Sequence, residues 1–595
     1  MLELILGYTS ARLKRLELFL VAAAFVVAIR RSPRYHISAA INLILAKYSP
    51  VQIALSALLA SHLFHNVLTT VGLHSPEAVG RLYNKGWYRA STLYQALVST
   101  VDTVSGVPTS LLRLLATPAV LMYYILHPTE AINRGRLIMG SKQSSRVRHH
   151  FNIGANPIVR FTAQLAAPRL GVRKTLVNLD QLYRQNAQTL GLPPLAAGEF
   201  LPSALLMFND TEEEMQRTVN LIFHIHGGGW FAMSPEMHSD YTAAYAKRTG
   251  AVVISADYAK TPDHPFPVAH NQLWALYRLI AATNGACIGM NINSEALRVI
   301  ITGDSAGGGL TLGLTKRIVE HNLGLARGTK TGDVKVLEPI AIVPVYPGVD
   351  FETRLLIKPE HLQYFDTKFD SNGFDTSSIA KKRQPEDKPP AYYTAFSLYG
   401  DDIVVPRHLL VQAGQMYGGS HLHPQHKNTD MEPLYASDDT LENWNMPALF
   451  VVGELDPLMD HTVIFSGRLR DARRRRQRQL SKSTSRYAHL PPAESDPDVQ
   501  TVVFKGISHG FISFSSLYAP SRQIVDFVGR YMADAFYNAK MLTLDPRVGE
   551  SGIPDVISMA NTSISDRHGV LAQLDTVKGG LLESRQAIAR EAHFL

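Results

Sequence analysis

The sequence predicts an α/β fold on a mostly parallel sheet, and three observations carry that prediction. Six apolar runs, at 221–225, 252–256, 299–302, 340–345, 449–453 and 499–504, alternate with stretches of helical periodicity. Strands that are apolar on both faces belong to a sheet covered by helices on both sides. One of these runs enters Gly303-Asp304-Ser305-Ala306-Gly307, the pattern of a tight turn from strand into helix. Three further segments, His226-Gly227-Gly228-Gly229-Trp230, Asp456 and His509, likewise follow apolar runs, so all four stand at strand ends.

The residue types at those four points suit nucleophilic chemistry. Small residues at Gly303 and Gly307 let the backbone pass through a strained turn that exposes the Ser305 hydroxyl. A free serine is a weak nucleophile and needs a base and a group that orients the base. His509 is placed to take the Ser305 proton and Asp456 to fix the imidazole tautomer, in the chain order serine, acid, histidine. The N–H groups of Gly227 and Gly228, with that of Ala306, are the expected donors to a developing oxyanion. A glycine-flanked serine alone is commonplace, and a histidine after a strand is more often structural. Four such segments in a workable order point to catalysis.

At these residues the chain resembles the hormone-sensitive-lipase-like branch of the α/β-hydrolases. That branch includes microbial esterases, arylacetamide deacetylases, steryl-acetate hydrolases and the plant gibberellin receptors. The resemblance extends over about 220–531 and includes Asp257-Tyr258, Pro265-Phe266-Pro267 and Glu432-Pro433-Leu434. It implies the α/β-hydrolase fold with a helical cap, and cleavage of a hydrophobic carboxylic ester without metal or organic cofactor. It further implies Ser305 as nucleophile, Asp456 as acid, His509 as base, and Gly227, Gly228 and Ala306 as oxyanion donors. His226 would shape the glycine turn. The chain departs from the family at Lys260-Thr261 and Asp263. The receptors of this branch lose the catalytic histidine, which this chain keeps as His509. An arylacetamide- or steryl-acetate-type deacetylase, an acyltransferase and a non-catalytic ligand receptor are the alternatives on the same fold.

At 595 residues the chain exceeds one such catalytic unit, so more than one region is expected. One cysteine, Cys287, excludes an intramolecular disulfide framework. Residues 1–150 carry 16 Lys and Arg against 5 Asp and Glu, a net +11, while the remainder nets −3. A basic first quarter with no aromatic-interleaved basic groove favours an anionic membrane or lipid-droplet surface over nucleic acid. The same quarter is apolar at 18–29, 37–46, 51–71 and 117–126. Twelve helical residues reach only about 18 Å of a hydrocarbon core about 30 Å thick. An inserted hairpin and in-plane helices both remain open, at the endoplasmic reticulum or a lipid droplet. The oligomeric state is not legible.

The organisation expected is an apolar basic N-terminal helical region at 1–134, a linker at 135–155 and cap helices at 156–219. The catalytic domain follows at 220–540, with insertions at 352–447 and 468–498, and then a C-terminal tail at 541–595. His421, His423 and His426 read as a solvated loop rather than a metal site. The stretch 473–485, with Arg473, Arg474, Arg475 and Arg476 in succession, reads as an exposed, protease-sensitive loop dispensable for chemistry. Arg476-Gln477-Arg478 ahead of Ser481 has the spacing that basophilic kinases prefer.

Overall fold

The structure is a computed structural model that describes residues 78–106, 110–139, 144–152, 170–209, 211–290, 296–329, 334–351, 394–422, 427–483 and 498–544, with 49, 52, 56, 572 and 573. The apolar runs 18–29 and 37–46, most of 51–71, and His423 and His426 lie outside the described residues.

Each of the six expected apolar runs is a strand. They are β3 (Asn220–Ile225), β4 (Val252–Asp257), β5 (Arg298–Asp304), β6 (Ala341–Val345), β7 (Ala448–Gly453) and β8 (Val499–Phe504). These six lie parallel in the order β4-β3-β5-β6-β7-β8. β5, β6 and β7 are buried at every residue, as central strands covered on both faces must be. Two antiparallel strands, β1 (Val172–Val177) and β2 (Ser203–Asn209), extend the sheet beside β4, and two residues of β9 (Ala572–Gln573) pair with β8.

Alternation along each strand divides the core into two apolar layers. Leu221, Phe223 and Ile225 of β3 face one layer, where α5 (Val268–Ala282) and α6 (Ala306–Ala326) pack through Leu273, Leu276, Leu310 and Ile318. Ile222 faces the other, with Tyr241 and Tyr245 of α4 (Ser239–Thr249) and Ile524, Val528 and Met532 of α8 (Ala519–Leu544).

The first departure from the sequence reading is at 172–209. Cap helices were expected across 156–219, but β1 and β2 join the central sheet there. The apolar spacing of Leu176, Leu179 and Leu182 imitates a helix, yet Leu176 is in an edge strand and the helix there is confined to Asp180–Asn186. The edge is exposed and carries Arg173 and Lys174, charges that discourage pairing with another chain.

The second departure is that the described part of the N-terminal region, 78–134, packs on the catalytic core, and the described residues of the expected linker pack there with it. Helices α1 (Lys85–Ser105), α2 (Ser110–Leu126) and α3 (Pro128–Met139) pack together. Asn84 caps α1 by accepting from Trp87 N, and its own N–H donates to Gly506 O at 2.8 Å. Trp87 is fully buried and meets Phe514 and Tyr518 edge-on at 4.8 and 5.6 Å. Within the expected linker 135–155, Met139, Val147 and Phe151 are buried, and Asn152 accepts from Met233 N at 2.6 Å. Basic composition suggested solvent exposure; the helical period turns the few apolar residues inward.

The third departure concerns the arginine run. Arg473 to Ser483 continue helix α7 (Met459–Ser483) instead of forming a loop. Arg473 is buried and donates to Trp444 O at 2.9 Å and Met446 O at 2.6 Å. Arg475 pairs with Glu442 and Asp438, and Arg476 bonds Glu442 O and Asn443. The partners come from a segment some thirty residues earlier, which proximity in sequence cannot reveal.

Docking of α1 makes a stability prediction. Trp87→Ala should cost roughly 3–5 kcal/mol, as for other fully buried aromatic truncations. The midpoint for thermal loss of the folded catalytic core should fall accordingly. An unchanged midpoint would mean that α1 and the core unfold independently.

Candidate active site

Ser305 stands alone between β5 and α6, at φ 56° and ψ −119°. A non-glycine residue rarely tolerates a positive φ, and close packing on both sides holds it there. A Cβ on Gly307 would lie 2.0 Å from Ile225 O, and one on Gly303 would lie 2.5 Å from Gly307 O. These two positions therefore require glycine for close approach between β3, β5 and the first turn of α6. Ser305 N donates to Val345 O at 2.9 Å, tying the turn to β6.

His509 and Asp456 reach this serine from the loops after β8 and β7. His509 Nε2 is 2.8 Å from Ser305 Oγ, and Nδ1 is 2.9 and 3.0 Å from the two Asp456 oxygens. A carboxylate only accepts, so Nδ1 carries the proton and Nε2 is left to accept from the serine hydroxyl. Asp456 also accepts from Leu458 N at 2.7 Å, which fixes its carboxylate. Asp456 and His509 are buried, whereas Ser305 is partly exposed. Burial disfavours the imidazolium, but the Asp456 charge and hydrogen bond, with help from Asp402 and Asp304, lift the His509 pKa above its ordinary value.

The glycine turn after β3 corrects one expectation. Gly227 N donates to Asp304 Oδ1 at 2.9 Å, so this N–H is taken. A Cβ at Gly227 would come within 2.5 Å of Asp304 Oδ2, so the contact also requires a glycine. The N–H groups of Gly228 and Gly229 have no acceptor among the described residues, and Ala306 N stands at the open start of α6. Gly229, which the sequence reading omitted, thus has its N–H available where Gly227 does not. Gly228 has φ 111° and Gly229 φ 61°, which shape the turn.

His226 forms part of the wall of that turn. Its Nδ1 donates to Gly227 O at 2.6 Å, its ring stacks on Tyr258 at 4.4 Å, and Tyr258 OH donates to His226 O. Burial holds its pKa down to about 4, so it is a neutral, structural imidazole. The unusual Lys260 is paired with Asp257 at 2.5 Å beside it.

Asp304 is the main residue that the sequence reading missed. Buried beneath Ser305, it accepts from Tyr241 OH at 2.8 Å as well as from Gly227 N. His238 Nε2 lies 3.5 Å away. Burial opposes its charge, yet His238 and these donors hold its pKa far below the carboxylate range. Tyr241 gives its proton to Asp304, so it accepts from His224 Nε2 at 2.8 Å, and His224 Nδ1 accepts from Ser255. The signal available in sequence was an aspartate directly before the serine. His421 packs edge-on against Phe266 at 5.2 Å, and no group of three potential metal ligands occurs among the described residues.

The arrangement can activate a hydroxyl, accept its proton and stabilise an adjacent anion. Residues 222–374 match a family described as having the alpha/beta hydrolase fold. The hormone-sensitive lipase of Bos taurus is 32% identical over 155 residues, which are 25% of this chain and 18% of that protein. An esterase of Acinetobacter venetianus is 30% identical over 163 residues, 27% of this chain and 48% of its own length. The chain therefore matches less than a fifth of the mammalian lipase and about half of the bacterial esterase. A solved hyperthermophilic esterase from Pyrobaculum calidifontis aligns with a TM-score of 0.43 at 18% identity, over 68% of this chain and 96% of that one.

The raised His509 pKa sets an expected pH response. Protonation removes the acceptor at Nε2, so Ser305 reactivity should be full at high pH and be lost as pH falls through the His509 pKa. The rate of fluorophosphonate labelling should show this acid limb above the ordinary histidine value of about 6.5. A limb well below it would contradict the Asp456 pairing.

Proposed function

We propose that this chain, an α/β-hydrolase of the hormone-sensitive-lipase-like branch, hydrolyses carboxylic esters of hydrophobic substrates through an acyl-enzyme on Ser305. The observation that carries the reading is the continuous hydrogen-bonded line from Ser305 Oγ through His509 to Asp456. Ser305 Oγ attacks the ester carbonyl as His509 Nε2 removes its proton. The carbonyl oxygen becomes an anion facing the N–H groups of Gly228, Gly229 and Ala306, each worth about 3–4 kcal/mol to the barrier. Collapse expels the alcohol, protonated by His509, and leaves the acyl group on Ser305. Water activated by the same imidazole then releases the acid and restores the serine. No atom in this sequence requires a metal or organic cofactor.

The N-terminal region holds the enzyme at a membrane or lipid-droplet surface in this proposal. Support comes from the net +11 of residues 1–150 and the apolar runs within them. Leu115, Met122 and Leu126, spaced along one side of α2, are 67%, 56% and 46% exposed. Among the described residues, no helix is long and apolar enough to cross a membrane.

Two experiments test these readings. Ser305→Ala and His509→Ala should each lower kcat on a panel of acyl esters by about 10⁶-fold, and Asp456→Asn by about 10⁴-fold. Retained turnover in folded Ser305→Ala, or phosphonylation of another serine, would refute the assignment. In fractionation, full-length protein should sediment with membranes or float with lipid droplets, and removal of residues 1–77 should weaken that association. Recovery of the full chain as a soluble monomer without detergent would contradict it.

A further inference from the structure

Two loops meet beside the proposed base, and both are held from the same side by the start of the N-terminal helical layer. One loop, 402–405, begins with Asp402, which is fully buried. Its Oδ1 accepts from Val404 N at 2.8 Å and Val405 N at 2.6 Å. Its Oδ2 accepts from Tyr83 OH at 2.5 Å and from the Ser508 hydroxyl. The second loop, 506–510, carries His509, whose backbone N–H donates to Ser508 Oγ at 2.5 Å. Thus four donors converge on Asp402, and one of them belongs to the residue immediately before the base.

The layer of α1 grips both loops directly. Gln95 donates to Ile403 O, and Asn84 N donates to Gly506 O at 2.8 Å. Gly506 packs so tightly on this segment that a Cβ there would lie 3.1 Å from Asn84 N. From the core side, Glu454 accepts from Gly506 N at 2.9 Å, and Leu455 N donates to Ile507 O at 3.0 Å. Tyr83 and Asp402 are 319 residues apart in sequence, so this junction exists only when the helical layer is docked.

We propose that Asp402 is a positioning residue for His509, acting through Ser508, and that Tyr83 makes the docked N-terminal layer part of that positioning. The proposal rests on the Ser305 hydrolase reading. The serine, Asp402 and tyrosine form one hydrogen-bonded line that fixes the backbone of the base, as Asp456 fixes its ring. Asp402 is also one of the anions that act on the imidazole. The groups facing His509 electrostatically are Asp456, Asp402 and Asp304, with His461 opposing them. Burial lifts the Asp402 pKa to about 6, against the hydrogen bond from Tyr83 and with the neighbouring Asp456 charge adding to the rise. Its charge is therefore present at neutral pH.

The test measures the pH profile of Ser305 phosphonylation and the steady-state split between kcat and KM in full-length protein. Asp402→Asn should lower the plateau rate about tenfold, less than the roughly 10²-fold that a 1 Å misplacement of a reacting group can cost. It should also move the acid limb to lower pH, because one charge that favours the imidazolium is gone. Tyr83→Phe keeps the ring and removes only the hydroxyl; it should lower kcat in the same direction with KM unchanged. A purely structural role would reduce the titrated fraction of active protein and leave the limb where it was, and that result would overturn the proposal. So would an Asp402→Asn profile that superimposes on the wild type. Wild-type protein that is not labelled at Ser305, or labelled regardless of His509, would instead overturn the hydrolase reading and this proposal with it.

Discussion

A single buried anion organises the region on which the rest depends. Asp304 has almost no exposure to solvent, and a carboxylate taken out of water must be matched by donors or by positive charge. Its match is Gly227 N, Tyr241 OH and the nearby His238. Meeting that demand joins the elbow after β5 to the glycine turn after β3. It uses the Gly227 N–H and leaves those of Gly228 and Gly229 unused by the described residues. The turn that would receive an oxyanion is thus set by the residue beside the nucleophile, and both are fixed before any substrate arrives. Preorganised donors of this kind need no rearrangement at the moment of reaction.

Much of this was legible in the sequence because its signals are local. Parallel strands buried on both faces read as uninterrupted apolar runs, and all six such runs are strands of the parallel sheet. Ser305, Asp456 and His509 each follow one of those strands, so their convergence follows from the topology. What was not legible depends on partners remote in sequence. Leu176 lies in a charged edge strand, where helix-like spacing misleads. Arg473 is inward only because Trp444 and Met446 offer carbonyls. Gly227 and Gly229 are indistinguishable as letters, and only the bond to Asp304 separates them.

The N-terminal layer has a similar explanation. Its basic, apolar composition gives no hint that Trp87 seats between Phe514 and Tyr518, or that Tyr83 ends on Asp402. Among the described residues, the stretch from Tyr83 to Gln95 links the helical layer, proposed to face lipid, to the loops beside the proposed base. Ser305 is held in its strained geometry by the sheet around it, through Val345 O of β6 and the close approach of Gly307 to β3. His509 sits on a loop, and a loop carrying a base needs support from outside itself. Asp456 supplies that support to the ring and the helical layer supplies it to the backbone.

The most direct test of the account is a crystal structure of the protein after reaction with a phosphonate ester. The account predicts phosphorus bonded to Ser305 Oγ. The phosphoryl oxygen should lie within hydrogen-bond distance of Gly228 N, Gly229 N and Ala306 N, with Gly227 N still on Asp304. An adduct on another residue, or an oxygen held by Gly227 N after its release from Asp304, would contradict it.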